Sequence, residues 1–103
     1  MTLSEEQQFN EFQKVILYSI AWGNNFSLSA HYSKDYYRKI YSKIFNLNLK
    51  TVLRKIDKAY SFLETNGFIE YHPTRGDSTI QLTKKGLKKS FGLKDEMKEK
   101  FST

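Results

Sequence analysis

The spacing of apolar residues in the middle of the chain is the feature that most restricts its fold. Apolar residues recur there at intervals of four, three and four positions, at Val52, Ile56, Ala59 and Leu63. This spacing places them on one face of an α-helix, so the opposite face has to be polar and exposed. Asn48 can cap the start of this helix, and Asn66–Gly67 favours its end. We therefore predict an amphipathic helix over residues 48–66.

The pattern changes from helix to strand directly after this helix. Phe68–Tyr71 and Thr79–Leu82 have the composition and alternation of short strands, and the segment between them contains a proline and a glycine. This predicts a β-hairpin whose tip is residues 72–78. Thr83 can cap a final helix, which Gly92 is expected to interrupt.

Two further helices are predicted in the N-terminal half. Ser4 and Gln7 form a capping-box pattern at the start of a helix expected over Ser4–Ala21. A second helix is expected from about Ser33, where two ridges of apolar and aromatic residues recur at four-residue spacing. Phe26–Leu28, between them, is predicted as a short strand or an extended connector. The two ridges of the second helix comprise Tyr36, Ile40 and Ile44, and Tyr37, Tyr41 and Phe45.

The composition excludes several classes of function. The chain has 103 residues, which predicts one domain over residues 1–103, and it contains no cysteine and two histidines far apart in sequence. A metal site, a cofactor and an enzymatic activity are therefore not expected, and no catalytic constellation is recognisable. The chain also has no apolar run of membrane-spanning length and an acidic N-terminus, so we expect a cytoplasmic protein without membrane contact.

Positive charge is concentrated in the centre of the chain. The formal net charge is +6, and residues 34–61 carry eight basic side chains against two acidic ones. Such a block indicates a polyanionic partner, although a solvated, lysine-rich helical face would have the same composition. The order of secondary structure has to decide between these two interpretations.

Two segments resemble winged helix-turn-helix proteins. Leu63–Ile69 is similar to the end of a recognition helix that enters the wing, and Thr79–Gly86 is similar to the closing wing strand of small MarR-, PadR- and ArsR-like regulators. The resemblance covers about Ser33 to Lys89. It implies a mainly α fold with a small β-hairpin, in the α+β class, and double-stranded DNA as the partner. The chain departs from this pattern in its tyrosine-rich second helix and in a hairpin tip with few basic residues.

The resemblance and the helical spacing together predict which side chains contact DNA. The exposed half of the third helix is expected to enter the major groove, with Arg54 recognising guanine. Arg75 in the wing is expected to enter the minor groove, and about half of the cations of the second helix are expected to hold phosphates. The major-groove set is Asn48, Lys50, Thr51, Arg54, Lys55 and Lys58, and the phosphate set is Lys34, Arg38, Lys39 and Lys43.

Two groups of aromatic and apolar residues have alternative interpretations. The tyrosines Tyr32, Tyr36, Tyr37 and Tyr41 could stack on bases, but their helical spacing favours core packing. The apolar rows of the terminal helices could complete the core, but in so small a domain we favour a two-fold dimer interface. These rows are Phe9, Phe12, Ile16 and Ile20 in the first helix, and Leu87, Phe91, Met97 and Phe101 near the C-terminus.

The predicted function is a homodimeric, sequence-specific DNA-binding protein that regulates transcription, most simply as a repressor. One alternative is an adaptor similar to the TubR-like proteins of plasmids and phages, which coats repeated centromere sites and recruits a filament-forming partner. A lesser alternative is a winged helix that serves as a protein-interaction module. Binding to a single operator would favour the regulator, and binding to an iterated array would favour the segregation adaptor. Absence of DNA binding would favour the protein-interaction module.

Overall fold

The fold is mainly helical, with a small antiparallel sheet of three strands, which confirms the α+β class. A computed structural model describes residues 9–45, 53–72 and 79–101. None of the helices in these ranges is long and apolar enough to cross a membrane. The elements in chain order are α1 (Glu11–Gly23), β1 (Tyr32–Ser33), α2 (Lys34–Phe45), α3 (Leu53–Thr65), β2 (Ile69–His72), β3 (Thr79–Leu82), α4 (Lys84–Gly92) and α5 (Lys94–Phe101).

Helix α1 begins with a capping box formed by Asn10 and Gln13. The Asn10 side chain accepts a hydrogen bond from the Gln13 amide at 2.8 Å, and the Gln13 side chain accepts one from the Asn10 amide at 3.0 Å. The capping box predicted at Ser4 and Gln7 lies outside the described residues, but the continuous helix predicted from Ser4 is wrong, because Phe9 and Asn10 are not helical and Asn10 caps a helix that begins at Glu11. The predicted end of the helix is confirmed, because the chain turns at Asn24 and then adopts left-handed φ angles of 54° and 55° at Asn25 and Phe26.

The predicted hairpin is present, and a third strand joins it. β2 pairs with β3 from Ile69 opposite Leu82 to His72 opposite Thr79, and β1 pairs with the other edge of β3, giving the order β1-β3-β2. Strand β1 was not predicted, because two residues are too few to show alternation. Phe26–Leu28, predicted as a short strand or an extended connector, is not a strand; it connects α1 to β1, and Phe26 ends the turn after α1 with a left-handed φ. The hairpin tip, residues 73–78, is not among the described residues.

Helix α1 lies at the centre of the fold and packs against α2, α3, α4 and β3. Its consecutive buried residues Val15 to Ala21 leave little of its middle exposed. The predicted core face of α3 is confirmed for Ile56, Ala59 and Leu63, whereas Val52 lies outside the described residues. Tyr60, which the apolar spacing did not include, is buried as well.

The hydroxyl of Tyr37 joins four parts of the fold. It lies 2.7 Å from Asn24 Oδ1 and 2.9 Å from the Ile80 carbonyl oxygen, and it accepts a hydrogen bond from the Tyr32 amide at 3.1 Å. The side chain is fully buried on α2, so these bonds tie α2 to the loop after α1, to β1 and to β3. Burial, more than any other cause, raises the pKa of Tyr37 to about 12.

The raised pKa of Tyr37 predicts a loss of stability at alkaline pH. Tyrosine in an unfolded chain titrates near pH 10, so the unfolded state releases this proton first, and the contribution present below pH 10 is lost as the pH rises to about 12. We expect Tyr37 to cost about 1.4 kcal/mol of unfolding free energy between pH 9 and pH 11. Urea unfolding of the wild type and Tyr37→Phe at both pH values measures this. A stability difference between the two proteins that does not change with pH would contradict the prediction.

Helix α4 is held closely against the turn that precedes the hairpin. Thr83 caps α4, as predicted, by accepting a hydrogen bond from the Gly86 amide at 3.0 Å, and its own hydroxyl donates to the Gly67 carbonyl. A Cβ atom at Gly86 would lie 1.9 Å from the Phe68 carbonyl oxygen. This position therefore requires glycine for close approach of the backbones.

Candidate nucleic-acid interface

Helix α3 presents a polar, partly cationic stripe on the side opposite its core face. With 3.6 residues per turn, Arg54, Lys58, Ser61 and Thr65 lie along one line of the helix surface, about half a turn from Ile56 and Leu63. All four residues of this line are exposed. Among the described residues, neither Arg54 nor Lys58 takes part in an ion pair. We call this line the α3 stripe.

The α3 stripe includes two of the predicted major-groove residues and adds two that were not predicted. Arg54 and Lys58 belong to the predicted set, whereas Ser61 and Thr65 were missed. They could have been found from the sequence, since they continue the spacing of Arg54 and Lys58 by three and four residues. Short hydroxyl side chains next to two cations can donate hydrogen bonds to phosphates or to base edges.

Lys55 lies on one flank of α3 rather than in the α3 stripe. Together with Lys58 it lines an open groove of about 390 Å³ against the start of α1, where Asn10 and Gln13 form the capping box. Two positive side chains therefore stand beside the positive end of the α1 dipole. The Glu11 carboxylate also lines the groove, so its charge is mixed rather than positive throughout.

The cation at the start of α2 points toward α3. The Lys34 ammonium lies 4.8 Å from the centre of the Tyr60 ring and 5.4 Å from that of Tyr71, within the range of cation–π attraction. Lys34 is partly exposed. Beneath it, the buried Tyr60 hydroxyl has no hydrogen-bond partner among the described residues, and burial raises the Tyr60 pKa. Because of these contacts, Lys34 keeps its charge close to α3.

The four predicted phosphate-binding cations of α2 do not share one face. Arg38 follows Lys34 by one turn and lies on the same side of α2, with a partly exposed pair to Asp35 at 3.4 Å that contributes little stability. Lys43 is nine residues from Lys34, which places it about half a turn away around the axis. The set therefore separates into a ridge of Lys34 and Arg38 beside α3 and a second ridge of Lys39 and Lys43. The expectation that about half of these cations reach one DNA backbone stays a prediction.

Several predicted contact residues cannot be placed. Asn48, Lys50 and Thr51 fall between residues 45 and 53, and Arg75 falls in the hairpin tip, all outside the described residues. Their roles remain predictions from the sequence. Within the described parts of α2 and α3, seven basic side chains stand against three acidic ones. The positive balance predicted for the centre of the chain is thus present on the surface of these two helices.

The prediction that the four tyrosines pack in the core is correct for two of them. Tyr37 and Tyr41 are buried, whereas Tyr32 and Tyr36 are 41% and 40% exposed and stack on each other with ring centres 4.3 Å apart. The expectation is wrong for this second pair because Tyr32 precedes α2, and Tyr36 lies on the flank of α2 beside the end of α1.

The expected dimer residues also require correction. Phe9, Ile16 and Met97 are buried inside the single chain, so a second copy cannot contact them in this conformation. Their rows lie inside because α1 is surrounded by other helices and α5 packs back on it. Phe12 stacks on Phe45 at 4.5 Å. The remaining two expected residues, Phe91 and Phe101, are exposed and half-buried respectively.

Comparison of the chain with protein-family models, with curated proteins and with solved structures gave no match. The function is therefore inferred from the geometry and charge of this chain alone.

Proposed function

We propose that this chain is a winged helix-turn-helix protein that binds double-stranded DNA sequence-specifically and regulates transcription as a homodimer, most simply as a repressor that covers a promoter. The order of elements supports this proposal, because α2, α3 and the β2–β3 hairpin follow one another as a helix pair and a wing do. β1 attaches the hairpin to the start of α2 through β3. In the proposed complex, α3 is the recognition helix.

The α3 stripe is the observation that carries the proposal. A helix about 10–12 Å across fits the major groove, which is about 12 Å wide. Arg54 is then placed to donate two parallel hydrogen bonds to guanine, while Lys58, one turn further along, holds a base edge or a phosphate. Because neither cation has an ion-pair partner in the described part of the chain, binding DNA breaks no existing pair.

The ridge of Lys34 and Arg38 is proposed to hold the phosphate backbone beside the groove that α3 enters. The Lys34 ammonium lies within cation–π distance of Tyr60 of α3 and Tyr71 of β2, which favours a position beside both elements. Such contacts orient a protein on the duplex without reading its sequence. The wing then follows the adjacent minor groove, where Arg75 is the proposed contact.

Recovery of bound fragments tests the proposal directly. Sheared DNA from the host of this chain is passed over the immobilised protein near physiological salt, and the retained fragments are sequenced. One short inverted repeat near a promoter, with half-sites about 34 Å apart, supports a dimeric regulator. A long iterated array would instead favour the segregation adaptor. Retention without sequence enrichment, or no retention, would contradict sequence-specific recognition.

The two ridges of α2 predict different salt dependences. If Arg38 neutralises one phosphate, Arg38→Ala should lower the slope of log K against log salt by about 0.9 and weaken binding to all sequences similarly. Lys43→Ala is the matched control, since it removes an equal charge from the other ridge. Fluorescence anisotropy over a salt series gives both slopes. Equal slope changes for the two variants would contradict the assignment of Lys34 and Arg38 to the DNA side.

A further inference from the structure

An aromatic groove lies between the end of α1 and helix α5. Its volume is about 400 Å³ and it opens to solvent. The helix spacing places it about 15 Å along α1 from the groove that Lys55 and Lys58 line, because Trp22 follows Phe12 by ten residues. A partner in this groove would leave the proposed DNA side free. The lining residues are Tyr18, Trp22, Lys94, Asp95, Lys98 and Phe101.

Exposed aromatic rings continue from this groove onto α4. Trp22 is 45% exposed and Phe91 is 50% exposed, and Phe26 stacks on Phe91 with ring centres 5.3 Å apart. The Lys94 ammonium lies 5.3 Å and 5.7 Å from the centres of these two stacked rings. Phe26 has a φ of 55°, a left-handed conformation that is strained for a non-glycine residue, and its ring lies in this stack. We call the groove together with Phe26 and Phe91 the aromatic surface.

Helix α5 carries six charged residues, and they differ in their contacts. Glu96 forms an ion pair with Lys14 at 2.9 Å, and Lys100 forms one with Glu11 at 3.7 Å, so both are used against α1. Lys94, Asp95 and Lys98 line the groove, and the Lys94 ammonium is engaged with the rings of Phe26 and Phe91. Neither Asp95 nor Lys98 has an ion-pair partner within the described ranges. Besides Lys94, the aromatic surface therefore carries one unpaired charge of each sign, about one helical turn apart.

We propose that the aromatic surface binds a second copy of this chain across a two-fold axis. Two antiparallel α5 helices that cross between residues 96 and 97 place Asp95 opposite Lys98 of the partner subunit, and the symmetry forms this pair twice. A partner with charge of a single sign would satisfy only one of the two residues. The self-complementary charges therefore favour a second copy over an acidic or basic peptide.

The expected anatomy of such an interface matches this surface. Stable interfaces bury about 800 Å² on each partner, with aromatic residues at the centre and charges at the rim. That is roughly one ninth of the 6853 Å² accessible surface of this chain. Trp22 and Phe91 supply the exposed aromatic centre, and Asp95 and Lys98 supply the rim. The aromatic surface would thus be the interface of the homodimer proposed above. This inference rests on the proposed function only in that the dimer would pair two α3 helices on DNA.

Charge reversal on the full chain without DNA tests the two-fold pairing. Sedimentation equilibrium should show a dimer for the wild type, and Asp95→Lys or Lys98→Glu alone should weaken association at least about tenfold, since each places like charges opposite each other. The double variant, and an equimolar mixture of the two single variants, should both recover association because opposite charges meet again. Lys43→Glu, on the exposed second ridge of α2 and outside the aromatic surface, is the control that should not change it.

Trp22 provides an independent measurement because it is the one tryptophan of the chain. Its emission should shift to shorter wavelength as the protein concentration passes the dimer dissociation constant, and Phe91→Lys should abolish this shift. A wild type that stays monomeric at all concentrations, or single reversals that associate like the wild type, would overturn the proposal. Half-site DNA binding by the monomeric variants separates the outcomes: if it persists, DNA recognition by α3 holds even where a dimer through the aromatic surface fails.

Discussion

Arg54→Ala is expected to weaken binding to the cognate duplex by about 1–3 kcal/mol, or roughly 5- to 150-fold. The loss should be concentrated at one base pair, because a bidentate arginine distinguishes guanine from the other bases, and discrimination there should relax. Lys58→Ala should weaken all duplexes by a similar, smaller factor if Lys58 holds a phosphate. Anisotropy titrations with the cognate duplex and with single-base variants of it measure both effects.

Lys88→Ala is the matched control for these two variants. It removes one exposed positive charge from α4, outside the α3 stripe, so it lowers the net charge without touching the proposed contact. We expect its affinity to stay within about twofold of the wild type at moderate salt, where distant surface charges are screened. If Arg54→Ala and Lys88→Ala weakened binding equally, the effect of Arg54 would be one of net charge, and recognition by the α3 stripe would be contradicted.

Gly86→Ala is expected to cost about 3 kcal/mol of unfolding free energy, at the upper end of overpacking effects. The added Cβ would lie 1.9 Å from the Phe68 carbonyl oxygen, and this oxygen is part of the backbone and cannot rotate away like a side chain. The start of α4 or the turn before β2 would have to move. Thermal and urea unfolding followed by circular dichroism measure the loss.

Gly92→Ala in the same helix is the control for Gly86→Ala. A Cβ at Gly92 meets nothing within 4 Å, so alanine should be neutral there, or should stabilise the protein by up to about 1 kcal/mol through the lower entropy of the unfolded chain. Equal stabilities of the two variants would show that the close approach at Gly86 does not constrain the fold. DNA affinity near the wild-type value for folded Gly92→Ala would show that α4 substitutions as such do not disturb recognition.

The sequence predicted the helix of the candidate site better than its surroundings. Periodicity identified the core face of α3 through Ile56, Ala59 and Leu63, and hence the side on which Arg54 and Lys58 are exposed. It did not identify Tyr60 as buried, because burial on the flank of a helix depends on which neighbour packs there. The separation of Lys34 from Lys43 around α2 could have been read from the sequence, since nine residues are about two and a half turns.

The role of the terminal helices could not be predicted from their apolar rows. A row of apolar residues shows that one face of a helix is covered, but not whether the cover is the same chain or a second copy. Ile16 and Met97 are covered by the chain itself, whereas Trp22 and Phe91 are not. Strand β1 and the Tyr37 hydrogen bonds were missed for a related reason. Both depend on contacts between segments distant in sequence, which leave no local pattern.

The hydrogen bonds of the Tyr37 hydroxyl bear on how the DNA-sequence preference of the proposed protein could change during evolution. They hold β1 and β3 to α2 at the base of the hairpin, independently of the residues between His72 and Thr79. If the proposed function holds, substitutions or insertions in that stretch would alter minor-groove preference without breaking these bonds. A protein arranged in this way can acquire new operators in two separate evolutionary steps, one for each groove.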